Sequence, residues 1–182
     1  MKAVDRIIQY LRIRKIAPYI ERGSRVLDIG CADGAIFRQL RSRISEGVGI
    51  DIGRSRTEVL NNYRLISGRF PDDLPDARPF DVIAMLAVLE HIPPAHQQQL
   101  AKDCARFLKP GGKLLITVPS LRAEKVLDWL KSIRLIDGMS LEEHYGFDAT
   151  QTPAIFSVGG VNLLRFETFQ LGYNNLYVFV KG

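Results

Sequence analysis

Arg25-Val-Leu-Asp-Ile-Gly-Cys-Ala-Asp-Gly34, followed directly by Ala35-Ile-Phe-Arg-Gln-Leu40, is the stretch on which the fold turns. An apolar run that stops in small residues and continues as a helical pattern reads as a buried parallel strand, a tight glycine-rich turn and a helix. Glycine suits such a turn because it takes backbone angles other residues avoid. Without a Cβ it also lets a ligand come close to the main chain. The free N–H groups of the helix start favour a polar or anionic ligand group.

Two classes of cofactor use this geometry. A dinucleotide fingerprint G-x-G-x-x-G beginning at Gly30 would need glycine where Ala32 and Ala35 stand. The pattern from Asp28 to Gly34 instead resembles the first motif of class I S-adenosylmethionine-dependent methyltransferases, with Ala32 in the place where that family most often has its middle glycine. The resemblance implies cofactor contacts from Asp28, Gly30, Cys31, Ala32 and Gly34.

Gly47-Val-Gly-Ile-Asp51 reads as a second strand ending in an acid. Asp51 lies 21 positions after Gly30, near the usual interval of about 20 residues between a glycine turn and a ribose-binding carboxylate. Asp51, with Ile52 beside it, is expected at the ribose; an Asp there otherwise caps the next turn. Residues 56–62 are expected to form a second crossover helix and Arg64–Ser67 a third strand. In Gly68-Arg-Phe-Pro-Asp-Asp-Leu-Pro-Asp76 the resemblance places the adenine. Arg69 or Phe70 stands where the family has an Asp. Phe70 is then a packing surface for the purine, and Asp72 or Asp73 takes the hydrogen bond; the alternative is a solvated acidic loop.

Phe80-Asp-Val-Ile-Ala-Met-Leu86, leading into Ala87-Val-Leu-Glu-His-Ile-Pro93, resembles the fourth strand of the small-molecule (type 11/12-like) branch of that family. Main-chain groups at Leu86 and Ala87 are thereby expected at the cofactor's methionine end. His91 sits beside the transferable methyl or fixes the turn before Pro93. Residues 95–108 read as a helix, and Leu-Lys-Pro-Gly-Gly leads into a fifth strand ending at Pro119. Residues 121–136 have a helical apolar pattern, and 137–153 read as a long polar loop. Its Glu142-Glu-His-Tyr-Gly-Phe147 resembles the substrate loop of quinone-type O-methyltransferases. That implies His144 as first candidate for a general base, His91 as second, and Tyr145 as an orienting group. Residues 162–169 and 176–180 read as an edge strand and a buried strand joined at Gly172-Tyr-Asn-Asn175.

Alternating strands and helices closed by a hairpin imply an α/β three-layer sandwich. The expected sheet is Rossmann-like, mostly parallel and seven-stranded, with a C-terminal antiparallel hairpin. One domain is expected over 1–182: an N-terminal basic segment (1–24), a cofactor core (25–120), a helix and substrate-side loop (121–160) and the hairpin (161–182). The chain of 182 residues is 46% hydrophobic and 25% charged, ordinary for a globular protein. No apolar run approaches a membrane span of about 18–20 residues. Cys31 and Cys104 have no metal-ligand spacing, which fits a reducing, cytoplasmic setting.

Residues 1–25 hold seven Lys and Arg against two acids, a surplus equal to the whole net charge of +5. Cationic surface confined to one segment is weak evidence for a nucleic-acid partner. Residues 2–21 read as one helix, or two divided near Pro18, packed on the sheet edge. The alternatives are a lid over the substrate and a basic face on an anionic membrane.

The implied chemistry is S-adenosylmethionine-dependent transfer of a methyl group, in line, to O or N (after them, C) of a small-molecule or lipid-like acceptor, with no metal. Neither Asn-Pro-Pro-Tyr nor a Pro-Cys nucleophile follows the fourth strand. A cofactor-binding but catalytically silent partner subunit is the second reading, and a nicotinamide-dependent oxidoreductase ranks last.

Overall fold

Val26 and Leu27 point to opposite faces of one strand, and both are completely buried. A strand apolar on both sides needs a layer on each, and the chain supplies them. In the computed structural model, residues 3–76, 78–120 and 147–182 are described. Helix α1 (Ala3–Ile16) continues into a 3-10 turn at Ala17–Tyr19, where Pro18 stands. Then follow β1 (Ser24–Ile29), α2 (Ala35–Leu40), β2 (Ile44–Asp51), β3 (Glu58–Val59), β4 (Tyr63–Ser67) and β5 (Phe80–Leu86). After them come α3 (Pro94–Phe107), β6 (Leu108–Pro119), α4 (Thr152–Ser157), β7 (Val161–Phe169) and β8 (Asn174–Lys181).

The sheet order is β3-β4-β2-β1-β5-β6-β8-β7. β1 pairs in parallel with β2 on one side and β5 on the other, so strand order reverses at β1/β5. In open α/β sheets that reversal opens a crevice beyond the carboxyl ends of the strands. The hairpin β7–β8 adds antiparallel strands to β6, with β8 buried and β7 on the exposed edge, as the sequence pattern requires.

Alternation divides the core. Leu27, Ile29, Ile83 and Met85 face the layer containing Phe107 of α3 and Phe156 of α4. Val26, Val82, Ala84 and Leu115 face Ile13 and Ile16 of α1 and Ile36 and Phe37 of α2. The foot of β1 is anchored by Arg25, whose guanidinium reaches Glu46 (3.0 Å) and Asp76 (3.0 Å) and lies 4.0 Å over the Phe80 ring.

Three expectations are corrected. No helix forms over 56–62. Asn61 and Asn62 instead make a hairpin turn, with Leu60 N–H donating to Tyr63 O (2.8 Å), and β3 pairs antiparallel with β4 as an eighth, two-residue strand. β-branched Thr57 and Val59 suit a strand better than a helix. Residues 149–153, expected as loop, coil into a 3-10 turn and the start of α4, because Phe156 reaches the core on that path. Finally, α1 covers a face of the sheet and not its edge. Lys15 Nζ meets Glu167 Oε2 (2.5 Å) and Gln9 Nε2 meets Asp33 (3.2 Å), so the helix bridges the hairpin and the glycine turn. The helix expected over 121–136 and most of the loop expected over 137–153, with His144 and Tyr145, lie outside the described residues.

Candidate functional site

At the carboxyl end of β1 the chain reverses sharply through Gly30 (φ +74°), Ala32 (φ +43°) and Gly34 (φ +74°). Gly30 N–H donates to Ile50 O (2.8 Å), which beds the turn on β2. A Cβ at Gly30 would lie 2.3 Å from Val88 Cγ2, so glycine is required there by space as well as by angle. Ala32 carries a Cβ in a left-handed conformation, which costs about 1–2 kcal/mol. Both of its peptide groups are pinned: its N–H donates to Asp51 Oδ2 (2.8 Å), and its carbonyl accepts from Arg54 Nη1 (2.6 Å). Arg54 also pairs with Glu58 of β3 (3.5 Å). The short ribbon that replaces the expected helix therefore holds the turn's clamp.

Asp51 ends β2 facing this turn. Its other oxygen accepts from Gly53 N–H (2.7 Å), so the carboxylate is held on both sides by backbone donors. Each oxygen keeps a second lone pair for a ligand hydroxyl. Both alternatives read from the sequence, local cap and ligand acceptor, are thus compatible in one side chain. Asp28, buried under the turn, has its carboxyl pushed well above the usual range, first by burial and then by the nearby Asp51 and Asp33. Asp33 is paired with Arg38 and with Gln9 Nε2 (3.2 Å), so Asp51 is the acid of the three left to accept from a ligand's hydroxyl donors. Helix α2 has only six residues, and Gly34 N–H is already given to Cys31 O (2.8 Å), so the helix start adds little.

These groups open onto a cleft of about 1280 Å³. Small-molecule sites usually occupy about 300–1,000 Å³, so this one has room for two reactants. Asp28, Gly30, Cys31, Ala32, Asp51, Ile52, Phe70, Asp72, Leu86, Ala87 and His91 all line it. Gly34 does not; it is buried at the N-terminus of α2. In the loop after β4, Asp73 Oδ2 accepts from Arg69 N–H (2.7 Å) and so fixes the loop, leaving Asp72 to face the cleft. The Phe70 ring stands edge-on to Phe107 (5.5 Å between centroids), which sets its plane. Ala87 turns left-handed after β5 (φ +58°), and its N–H goes to Thr117 O (2.8 Å). What its main chain offers a ligand is the carbonyl. His91 lies on a 3-10 turn, Leu89–His91, with its own N–H donated to Val88 O (3.0 Å).

Several cleft residues escaped the sequence reading. Ile8, Gln9, Arg12 and Ile13 of α1 form one wall, so the N-terminal helix belongs to the site. Glu90 is 3% exposed, and burial pushes its carboxyl up to about 7. The signal for Arg12 was a charge inside the run Leu11–Ile16, on the side of α1 that turns inward. Glu90 was visible as an acid within the apolar Val88–Ile92 segment. His96 and Arg106 line the cleft from α3, and Arg54 became legible only once β3 was seen.

Comparison with known proteins follows the same lines. Residues 4–151 match the model of a family described as a methyltransferase domain. The ubiquinone biosynthesis O-methyltransferase of Idiomarina loihiensis is 32% identical over 127 residues, covering 59% of this chain and 51% of that protein. The Coxiella burnetii protein of the same name is 32% identical over 120 residues, covering 61% and 50%. The chain therefore spans about half the length of the curated relatives it matches. Among solved structures, a chain of the complex between the Haloferax volcanii Trm112 methyltransferase activator and the putative methyltransferase superposes with a TM-score of 0.72 at 18% identity, covering 94% of this chain and 90% of that one. The N-methyltransferase NodS of Bradyrhizobium japonicum gives 0.67 at 18%, covering 97% and 96%. At such identities these two structures speak for the fold alone. Among the described residues no helix is long and apolar enough to cross a membrane.

Proposed function

The chain belongs to the methyltransferase-domain family, whose cofactor is S-adenosylmethionine, and from that premise we propose that it transfers a methyl group to an oxygen or nitrogen of a small-molecule or lipid-like acceptor. The observation that carries this reading is the seating of Asp51 against the glycine turn, with Ala32 N–H on one oxygen and Gly53 N–H on the other. The free lone pairs of that carboxylate suit the paired hydroxyls of a ribose. The turn at Gly30 lines the cleft beside the adenosyl group, the Phe70 ring offers a flat apolar face to the purine, and Asp72 stands within the same cleft for its amino group. Leu86 and Ala87 present carbonyl edges to the amino-acid end. Cys31 and Ile52 complete the wall.

When bound, the cofactor supplies an electrophilic methyl carbon and leaves as a neutral thioether. What remains for the protein is alignment of the acceptor, exclusion of water and removal of a proton. His144 is proposed as the proton acceptor, with His91 second and Tyr145 as orienting group. An anionic membrane surface contacted through α1 remains part of the proposal for lipid-like acceptors, since Arg6 and Arg14 accompany the exposed Ile7, Tyr10 and Leu11.

Calorimetric titration tests the reading. S-adenosylmethionine and S-adenosylhomocysteine are expected to bind, and Asp51→Ala to weaken both by about tenfold or more. Indifference to both compounds at millimolar concentration ends the reading. Turnover with methyl-labelled cofactor across pools of phenols, amines and lipids then separates an enzyme from a silent partner subunit. His144→Ala is expected to cut that turnover by roughly 10²–10⁴-fold without changing cofactor affinity.

A further inference from the structure

Glu90 has no part in the roles assigned above, yet it is the most deeply enclosed acid that opens on the cleft, at 3% exposure. Its carboxyl is hydrogen-bonded by its own main-chain N–H, and Oε2 has no hydrogen-bond partner among the described residues. Across the cleft wall stands Arg12 of α1. The guanidinium gives Nε and Nη2 to Asn174 Oδ1 (3.2 and 3.1 Å), a neutral amide. Arg12 and Glu90 feel one another's charge but form no ion-pair contact. Burying charges without contact between them is costly, and the cost is relieved by a ligand that brings one charge of each sign. The amino-acid end of the cofactor is such a group, a carboxylate and an ammonium on one carbon.

Resting on the methyltransferase reading, we propose that Glu90 receives the α-ammonium group of the cofactor's amino-acid end, with Arg12 beside it taking the carboxylate. The Ala87 carbonyl lies on the same stretch and gives the ammonium a second acceptor. The charged and titratable groups that α1, the Leu89–His91 turn and α3 bring to the same cleft are Arg12 and Asp5, His91, and His96, Asp103 and Arg106. Of these, Arg12 is the one that acts on it, and too weakly to offset burial, so the free acid titrates near 7. An ammonium placed against the carboxyl group favours the carboxylate. Below pH 7, binding therefore expels the Glu90 proton to solvent.

The test uses the full chain and two probes, S-adenosylhomocysteine and 5′-methylthioadenosine, which keeps the adenosyl thioether but lacks the amino-acid end. Titrations run from pH 5.5 to 8 in two buffers of different ionisation enthalpy. Wild-type affinity for S-adenosylhomocysteine is expected to rise by up to about tenfold per pH unit and to level off above about 7, with proton release below that point. Affinity for 5′-methylthioadenosine is expected to lack that Glu90-linked rise. Glu90→Gln is expected to weaken S-adenosylhomocysteine on the order of ten- to hundredfold, to remove its Glu90-linked pH dependence and to leave 5′-methylthioadenosine unchanged. Equal loss of both ligands would mean that the acid holds the cleft's shape and does not meet the ammonium. An unchanged pH profile in the variant overturns the proposal as well. Proton release is read on the wild-type chain, so the test survives a variant that fails to fold, and its absence there is equally fatal. A wild-type chain that binds neither probe removes the methyltransferase reading itself.

Discussion

Replacing Gly30 by alanine tests how the glycine turn is built. Gly30 has φ +74°, where an L-residue costs about 1–2 kcal/mol. The new methyl would also lie 2.3 Å from Val88 Cγ2 and 3.3 Å from Cγ1, overpacking that typically costs about 1–3 kcal/mol. Gly30→Ala should therefore lose about 2–5 kcal/mol, a large part of the roughly 5–15 kcal/mol that holds a domain folded. Equilibrium unfolding in urea measures this as a fall in midpoint at constant slope. The two contributions separate in a double-mutant cycle with Val88→Ala. Of the three atoms nearest the new methyl, the Val88 Cβ at 3.4 Å alone then remains, an ordinary contact, so the clash disappears and the backbone cost stays. The cycle should show a favourable coupling of about 1–3 kcal/mol and leave about 1–2 kcal/mol unrecovered. An unchanged midpoint in Gly30→Ala, or a cycle with no coupling, would refute the reasoning.

Ala32→Gly should do the opposite. It releases about 1–2 kcal/mol of left-handed strain against about 0.4–1 kcal/mol of added unfolded-chain entropy, a net gain of up to ~1.6 kcal/mol visible as a small rise in melting temperature; a fall would mean the Cβ makes a contact that matters. The Glu167 carboxyl is held down to about 2 by hydrogen bonds first from Lys15, then from Tyr19. Because its folded value lies below its unfolded one near 4.5, its stabilisation is whole above about 4.5 and fades as pH falls toward 2. Given partial exposure, up to ~1 kcal/mol is expected, lost in Glu167→Gln, whose unfolding midpoint should decline less between pH 5 and 3 than that of the wild type. Burial pushes both thiols up, so Ellman's reagent should leave Cys31 and Cys104 untouched in the native chain and find both in denaturant. Rapid native labelling of one thiol would show that its surroundings open.

The parts of the fold that were legible in the sequence are those where local pattern and burial agree. β1, the glycine turn and α2 were readable because an apolar run, small residues and a helical period follow in order. β7 and β8 were readable because an edge strand alternates and a central one does not. The segment 56–62 misled because its length permits a helix, and only pairing across Asn61-Asn62 to β4 decides for a strand. That is a contact between residues, not a property of any one of them. The same holds in the site. Asp51 could be found from its interval to Gly30, whereas Arg54 acts on Ala32 through a fold-back that spacing does not encode. Arg12 and Glu90 come from segments nearly 80 residues apart and line one cleft only because α1 lies across a face of the sheet.

The bent peptide at Ala32 is propped from outside, by a carboxylate and a guanidinium that arrive about twenty residues later in the chain. Cut out and grafted onto another scaffold, the ten residues that open the cleft would lose both supports. A graft would have to carry the chain from β1 through β4, where Glu58 pairs with Arg54 and Ser67 Oγ donates to the Arg54 carbonyl (2.6 Å).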